Sequence, residues 1–102
     1  MIKDNLVFAL EKETLRIFII GEINRASILS LREQIDEKIR ELSPEKVVLD
    51  LSRLHFMDSS GIGFFIGRQR VAQELQAEFV IEHPSAAVLE LLKCAGMGNL
   101  TK

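Results

Sequence analysis

Short runs of apolar and β-branched residues, bounded by charged or turn-forming residues, predict four β-strands along the chain. The charged segment at residues 11–13 separates the first two runs by a distance typical of an antiparallel hairpin. The second run is almost continuously apolar at its end, which favours burial on both faces of a sheet. The predicted strands cover residues 6–10, 14–20, 46–51 and 78–82.

Apolar residues spaced three and four apart predict a helix from Asn24, a favourable N-cap residue, to about Leu42. The charged residues on the other side of this helix are expected to form a solvated face, on which Asp36 can reach Arg40. Pro44 ends the helix, because proline cannot continue it and restricts the residue before it. The predicted apolar face consists of Ile28, Leu31, Ile35, Ile39 and Leu42.

Two further helices are predicted over about residues 62–75 and 86–94, the latter with Ser85 as its N-cap. Gly63 and Gly67, together with Gly61, lower the helix propensity of the earlier one. Because glycine permits close approach of the backbone to its surroundings, we expect this helix to lie near the sheet.

The order of the predicted elements is β-β-α-β-α-β-α, which indicates a single α/β domain over residues 1–102. Strands that alternate with helices are expected to be parallel, with the helices packed on the sheet. The N-terminal hairpin adds an antiparallel strand at one side. The sequence therefore predicts a mixed sheet.

The overall composition argues against several functional classes. With 13 basic and 15 acidic residues, the formal charge is −2, which gives no electrostatic basis for nucleic-acid binding. No stretch reaches the roughly 18 apolar residues of a membrane span, and the N-terminus lacks a signal-peptide pattern. We therefore expect a cytoplasmic protein without direct membrane insertion. The single cysteine, Cys94, excludes an internal disulfide and is expected to be a small buried residue.

The stretch Met57-Asp58-Ser59-Ser60-Gly61-Ile62-Gly63 lies between a predicted buried strand and a predicted helix. A helix start has backbone N–H groups without internal partners, and a serine oxygen can accept a hydrogen bond from one of them. The same position tolerates added negative charge, because the helix dipole is positive there. Ser59 and Ser60 are therefore either N-caps or hydroxyls that are modified or take part in chemistry.

Catalytic chemistry at this stretch lacks supporting residues. Its glycines match neither the dinucleotide fingerprint nor the P-loop, so no nucleotide cofactor is expected. A hydrolytic serine would need a base and an orienting acid, and the only histidines are His55 and His83. Two histidines and one cysteine give no recognisable metal-binding spacing. The remaining hypothesis is a non-enzymatic protein with a hydroxyl that another protein phosphorylates, so that the added charge switches an interaction off.

Two sequence signatures resemble those of the STAS domain family, and within it the anti-sigma factor antagonists. One is Asp50-Leu51-Ser52 followed by Phe56-Met57-Asp58-Ser59-Ser60-Gly61-Ile62-Gly63. The other is Gly21-Glu22-Ile23-Asn24, at the end of a predicted strand and the start of a helix. The resemblance covers about residues 5–100 and implies a STAS-like fold with the same order of elements.

The resemblance implies that Ser59 is the phosphoacceptor, which leaves Ser60 as the structural cap. A partner anti-sigma factor, itself a serine kinase, would phosphorylate Ser59 with ATP. The unmodified form would bind that kinase and free the sigma factor, and a PP2C-type phosphatase would reset the switch. Asp58 would shape the acceptor loop, and Gly61 and Gly63 would let the helix start sit tightly beneath it. The implied partner-binding residues are Gly21, Glu22, Asn24, Asp58, Ser59, Ser60, Gly61, Ile62, Gly63 and Phe64.

Two features depart from the family pattern. Asn24 stands where the family usually has aspartate, which keeps the cap but removes a negative charge. The chain stops at Lys102, shorter than is usual for the family, so Leu100-Thr101 could only begin the family's last strand. An uncovered sheet edge would favour a homodimer. The alternative functions are a STAS scaffold of a stressosome or membrane-transport complex, in which Ser59 is not modified, and a small serine hydrolase or nucleotidase.

Overall fold

A computed structural model describes residues 5–101 of the chain. Four strands and three helices agree with the predicted elements, and two short strands, β3 and β5, are additional. No helix in this part of the chain is long and apolar enough to cross a membrane. In chain order the elements are β1 (Leu6–Glu11), β2 (Thr14–Ile19), β3 (Gly21–Ile23), α1 (Ile28–Leu42), β4 (Lys46–Asp50), β5 (Leu54–Met57), α2 (Ser60–Glu74), β6 (Glu78–Glu82), α3 (Ala86–Cys94) and a 3-10 turn (Gly98–Leu100).

The main sheet has the strand order β1-β2-β4-β6. β1 and β2 form an antiparallel hairpin, whereas β2, β4 and β6 run parallel to one another. The predicted mixed sheet with an antiparallel strand at one side is therefore confirmed. Beyond β6, Thr101 makes a parallel bridge to Ile81, which is how a further strand would begin.

The hydrophobic core lies on one face of the main sheet. In β2, Leu15, Ile17 and Ile19 are fully buried and belong to the same core cluster as the buried residues of all three helices. Arg16 and Phe18 alternate with them and are only half-buried. The prediction that β2 is buried on both faces is therefore wrong. Successive side chains of a strand point to opposite faces, and the apolar run does not reveal that the helices cover one face.

β3 and β5 pair in parallel as a separate two-stranded sheet. The sequence predicts no strand between residues 51 and 58, so the strand Leu54–Met57 is an addition to the predicted elements. The segment is too short, and too mixed in polarity, for its periodicity to indicate a strand. Its pairing with Gly21–Ile23 is long-range and depends on how the chain folds.

Asp36 is not part of a solvated face. It is buried and pairs with Arg68 of α2, whose Nε lies 2.6 Å from Asp36 Oδ1. Arg68 also donates a hydrogen bond to the Phe64 carbonyl at 3.3 Å. Burial lowers the pKa of the Arg68 guanidinium, and the Asp36 carboxylate opposes that shift. The predicted pairing of Asp36 with Arg40 is therefore wrong, because the partner comes from another helix.

Side-chain caps are found before α1 and α3. Asn24 Oδ1 accepts hydrogen bonds from the N–H groups of Ala26 at 2.9 Å and Ser27 at 3.0 Å, so it caps the turn that leads into α1. Ser85 Oγ accepts a hydrogen bond from the Val88 N–H at 3.2 Å. The predicted cap of α3 is confirmed, and α1 begins one turn later than predicted.

Cys94 is exposed at the last position of α3, so the prediction that it is buried is wrong. The buried residues of this helix are Val88 and Leu92. Cys94 lies two positions beyond Leu92, which turns its side chain away from that face.

Candidate functional site

The two signature segments meet at the β3–β5 sheet. Ile23 is paired with Met57, and the Asp58 N–H donates a hydrogen bond to the Ile23 carbonyl at 3.1 Å. The loop that follows β3 and the loop that precedes α2 are therefore adjacent. Residues more than thirty positions apart in sequence thus form one continuous surface.

Asp58 caps the start of α2. Its Oδ1 accepts a hydrogen bond from the Ser60 backbone N–H at 2.9 Å and another, shorter one from the Ser60 hydroxyl. Ser60 is the first helical residue and donates to this carboxylate. The expectation that Ser60 is the structural cap is therefore wrong. A carboxylate oxygen is the stronger acceptor, and it reaches the same orphan N–H group.

Ser59 differs from Asp58 and Ser60 in its side-chain hydrogen bonding. It occupies the N-cap position of α2, but its backbone is already helical and its side chain makes no capping hydrogen bond. The residue is exposed, and within residues 5–101 its hydroxyl has no hydrogen-bond partner. Ser59 therefore presents an uncommitted hydroxyl to solvent at the positive end of a helix dipole.

Hydrogen bonding keeps Asp58 ionised. The Ser60 hydroxyl lowers the pKa of the Asp58 carboxyl, and the backbone N–H groups of Ser60 and Arg25 add to the effect. The positive charge of Arg25 acts in the same direction. Arg25 belongs to neither of the two sequence signatures. It directly follows Asn24, the last residue of the signature Gly21-Glu22-Ile23-Asn24.

Gly61 is the position where glycine is required by packing. A Cβ at this position would overlap the Cγ and Sδ atoms of Met57, which is itself buried. Gly63 and Gly67 have open space where a Cβ would project. The expected close approach is therefore confirmed for Gly61 and wrong for Gly63 and Gly67. Only Gly61 lets α2 begin directly against β5.

Asn24 uses both ends of its amide. Its oxygen caps the following turn, while Nδ2 donates a hydrogen bond to Glu22 Oε1 at 2.9 Å. Ser27 completes this loop, since its Oγ accepts from the Asn24 N–H at 3.1 Å and donates to the Glu22 carbonyl at 3.0 Å. An aspartate at position 24 could provide the cap but could not donate to Glu22. The departure from the family pattern therefore has a local structural reason.

The other predicted site residues differ in exposure. Glu22 and Gly63 are exposed, Gly21 and Ile62 are half-buried, and Phe64 is only 4% exposed. Phe64 lines a cavity together with Ser60, Gly63 and Arg68. The site surface is therefore formed by the loops and the first turn of α2, with Phe64 beneath it.

One group of side chains within residues 5–101 has the spacing of metal ligands, namely Asp50, Glu82 and His83. Arg16 Nη1 lies 2.9 Å from Asp50 Oδ2 and 2.7 Å from Glu82 Oε1. The two carboxylates thus share one guanidinium, whose single positive charge offsets half of their combined negative charge. This arrangement resembles an ion-pair network rather than a metal centre.

Comparison with known proteins matches residues 6–102 to the STAS domain. An anti-sigma F factor antagonist of Lysinibacillus sphaericus is 28% identical over 87 residues, which cover 85% of this chain and 74% of that protein. A protein of the same name from Paenibacillus polymyxa is 34% identical over 77 residues, covering 76% of this chain and 66% of the relative. The solved structure of the anti-sigma factor antagonist SpoIIAA in its unphosphorylated form superposes with a TM-score of 0.83 at 26% identity, covering 95% of this chain and 85% of that one.

Proposed function

The chain belongs to the STAS domain family, and from this premise we propose that it is an anti-sigma factor antagonist switched by phosphorylation of Ser59. In the proposed cycle, the unphosphorylated protein binds an anti-sigma factor and frees the sigma factor. The names of two curated relatives and of a structurally similar protein support this assignment. The protein acts by binding rather than by catalysis.

The proposal rests mainly on the hydrogen bonds at the start of α2, which involve Asp58 and Ser60 but not the side chain of Ser59. Asp58 and Ser60 bind each other and cap the helix, so Ser59 contributes no cap. A kinase can therefore modify the Ser59 hydroxyl without breaking a hydrogen bond that the fold needs. This supports Ser59 over Ser60 as the phosphoacceptor.

Phosphorylation at Ser59 is compatible with the fold but changes its surface. The modification adds close to two negative charges, and a helix N-terminus with no acidic residue in its first turn accommodates them. Asp58 next to it stays ionised, so negative charge becomes concentrated at one point. A partner that fits the unmodified loop would have to bury unpaired charge, which costs about 2–5 kcal/mol of binding free energy.

The proposed docking surface combines the loop after β3 with the first turn of α2. Phe56 of β5 lies beside it, paired in register with Glu22, and is 53% exposed. An exposed aromatic residue next to a polar loop is a typical anchor of protein interfaces. The docking residues are Gly21, Glu22, Asn24, Asp58, Ser59, Ser60, Gly61, Ile62 and Gly63.

The proposed partners are an anti-sigma factor with serine kinase activity, which uses ATP, and a PP2C-type phosphatase that removes the phosphate from Ser59. The proposed place of action is the cytoplasm, where ATP-dependent kinases and sigma factors operate. The switch itself needs no cofactor bound to this chain.

Phosphate transfer tests the choice of acceptor. The purified protein is incubated with its cognate anti-sigma kinase and ATP, and phosphate uptake is measured by intact-mass spectrometry. We expect one phosphate per chain, none in Ser59→Ala and full uptake in the matched control Ser60→Ala. Uptake that is lost with Ser60 instead of Ser59 would show that the wrong hydroxyl was chosen.

Binding of a charge mimic tests the switch. Ser59→Asp should abolish binding to the anti-sigma kinase, while its melting temperature stays within a few degrees of wild type. If Ser59→Asp binds as tightly as wild type, the charge mechanism is wrong. Absence of phosphate uptake together with tight binding to a stressosome or transporter component would favour a scaffold function instead.

A further inference from the structure

Within residues 5–101, β1 is an open edge of the main sheet. In this part of the chain it pairs with β2 on one side only, while the opposite edge strand, β6, carries the bridge to Thr101. Val7 and Leu10 on β1 are 42% and 52% exposed. The strand has no proline, lysine or bulge, which are the usual features that prevent a sheet edge from pairing with another chain. The charge of Glu11 at the end of the strand is therefore the one such feature within β1, and the apolar residues before it leave the edge able to pair with another strand.

The direction of the backbone groups on β1 follows from its pairing with β2. The Ile20 N–H donates to the Asn5 carbonyl at 2.8 Å, so Asn5 points its backbone groups towards β2. In an antiparallel ladder these groups alternate in direction from one residue to the next. The N–H and carbonyl groups of Leu6, Phe8 and Leu10 therefore point outwards from the sheet.

We propose that a second copy of this chain pairs antiparallel with β1 about a two-fold axis at Phe8. In this register Phe8 lies opposite the partner's Phe8, and Leu6 lies opposite the partner's Leu10. All three outward-pointing residues then exchange hydrogen bonds, and each side chain meets one on the same face of the sheet. The two four-stranded sheets become one continuous sheet.

The side chains of β1 suit this self-pairing. On the face covered by α1, the half-exposed Leu10 is covered by the partner's Leu6. On the other face, Asn5 lies opposite the partner's Glu11, so no like charges oppose each other. A shift by two residues towards the hairpin would place Leu6 opposite Lys12, which has a φ of 56° and lies outside the strand. The register centred on Phe8 therefore uses the whole strand.

A groove beside β1 provides space and charge for the second copy. It is lined by Phe8, Gln34, Glu37 and Lys38 and has a volume of about 280 Å³. The Lys38 ammonium lies 5.6 Å from the centre of the Phe8 ring. Lys38 Nζ already lies 3.2 Å from Glu41 Oε1 of its own chain. Because the groove carries both a carboxylate and an ammonium, the same groove on a second copy adds a group of opposite charge for each. This surface includes none of the residues proposed for the phosphorylation switch.

The oligomeric state tests the proposal. Sedimentation equilibrium of the full chain should show a concentration-dependent dimer. Leu10→Lys should raise the dimer dissociation constant by about tenfold or more, since it places charge against the partner's Leu6. The matched control is Leu29→Lys on α1, because Leu29 is 53% exposed, as Leu10 is at 52%. A monomer at every concentration, or an equal effect of both variants, would overturn the proposal.

Disulfide cross-linking tests the register and does not depend on the strength of the dimer. Cys94 is exposed and is first replaced by serine to remove the native thiol. In that background, Phe8→Cys places two thiols on strands whose Cα atoms lie about 5.5 Å apart, within disulfide range. With oxidised glutathione as the oxidant, we expect a covalent dimer for Phe8→Cys and none for Leu10→Cys, whose copies are offset by about 13 Å. Cross-linking of Leu10→Cys but not Phe8→Cys would rule out this pairing.

Discussion

Asp58, Ser59 and Ser60 are adjacent in sequence, yet their side chains have different contacts. Asp58 accepts two hydrogen bonds from Ser60, and the exposed Ser59 hydroxyl accepts and donates none within residues 5–101. The carboxylate is the better acceptor for the orphan N–H groups of a helix start. Because the Asp58 carboxylate caps this helix start, the Ser59 side chain has no capping role there.

Gly61 and Gly63 of α2 have different surroundings, so replacing each with alanine should change the free energy of unfolding in opposite directions. Gly61→Ala should lower the free energy of unfolding by about 1–3 kcal/mol, because the new Cβ overlaps the buried Met57 side chain. Gly63→Ala should raise it by about 0.5–1 kcal/mol, because its surroundings are open and alanine favours a helix. Urea unfolding of both variants measures the difference. Equal effects of the two substitutions would contradict the packing argument.

At the scale of elements, a buried ion pair joins α1 to α2. Asp36 and Arg68 have side chains that are 13% and 5% exposed, and their atoms approach to 2.6 Å. Arg68 also places its guanidinium 5.1 Å from the centre of the Phe64 ring, beneath the candidate site. The position of α2, and with it the acceptor loop, therefore depends on a charge supplied by α1.

Removing one member of this pair should be costly. Asp36→Leu should lower the free energy of unfolding by about 3–5 kcal/mol, because Arg68 is left buried without its partner. The double variant Asp36→Leu with Arg68→Leu should lose clearly less than the sum of the single variants. Denaturant unfolding in a double-mutant cycle measures this coupling.

An exposed ion pair between the same two helices serves as a control for the buried pair. Arg40 of α1 lies 4.0 Å from Glu74 of α2, with side chains that are 58% and 67% exposed. Glu74→Ala should change stability by about 0–1 kcal/mol, since exposed ion pairs contribute little. If Asp36→Leu had an effect as small as that of Glu74→Ala, the buried pair would not join the helices as inferred.

At the scale of the whole molecule, the two faces of the main sheet are different. One face is covered by helices, and the other carries an ion-pair network across three strands: Arg16 of β2, Asp50 of β4 and Glu82 of β6. Burial alone would raise the pKa of the Asp50 carboxyl, but hydrogen bonds from Ser52 and Arg16 outweigh burial and hold it below its ordinary value. The carboxylate form of Asp50 thus stabilises the fold.

The lowered pKa of Asp50 predicts how stability depends on pH. The contribution of this group is fully present above its ordinary pKa of 3.8 and is lost as the pH falls through its lower folded value. We expect Asp50→Asn to lower the free energy of unfolding by about 1–2 kcal/mol near pH 7. The variant should also lose less stability than wild type as the pH is lowered into the acidic range. Thermal unfolding between neutral and acidic pH tests this. The control is Glu45→Gln, an exposed residue with no side-chain partner in the described part of the chain. If Asp50→Asn lost as much stability as wild type on acidification, the Asp50 carboxylate would not be the group responsible.

Periodicity predicted the elements that have strong local signals. β6 has the predicted bounds, and α3 has the predicted cap at Ser85. β5 was missed because four residues of mixed polarity carry too little periodicity. The predicted burial of Cys94 failed for a related reason, since a composition-based preference for burial does not specify which face of a helix a residue occupies.

The sequence by itself determined the order of the three helices and the four strands of the main sheet, the mixed character of that sheet and, through two family signatures, the candidate acceptor Ser59. Only the tertiary structure decided that Asp58 rather than Ser60 caps α2, and that Asp36 pairs with Arg68, 32 positions away. The elements follow from local periodicity, which the chain carries residue by residue. Hydrogen bonds and ion pairs between elements depend on which elements pack against each other. The local sequence pattern does not specify that packing. Among the described residues the Ser59 hydroxyl has no hydrogen-bond partner, because Asp58 and Ser60 bond to each other.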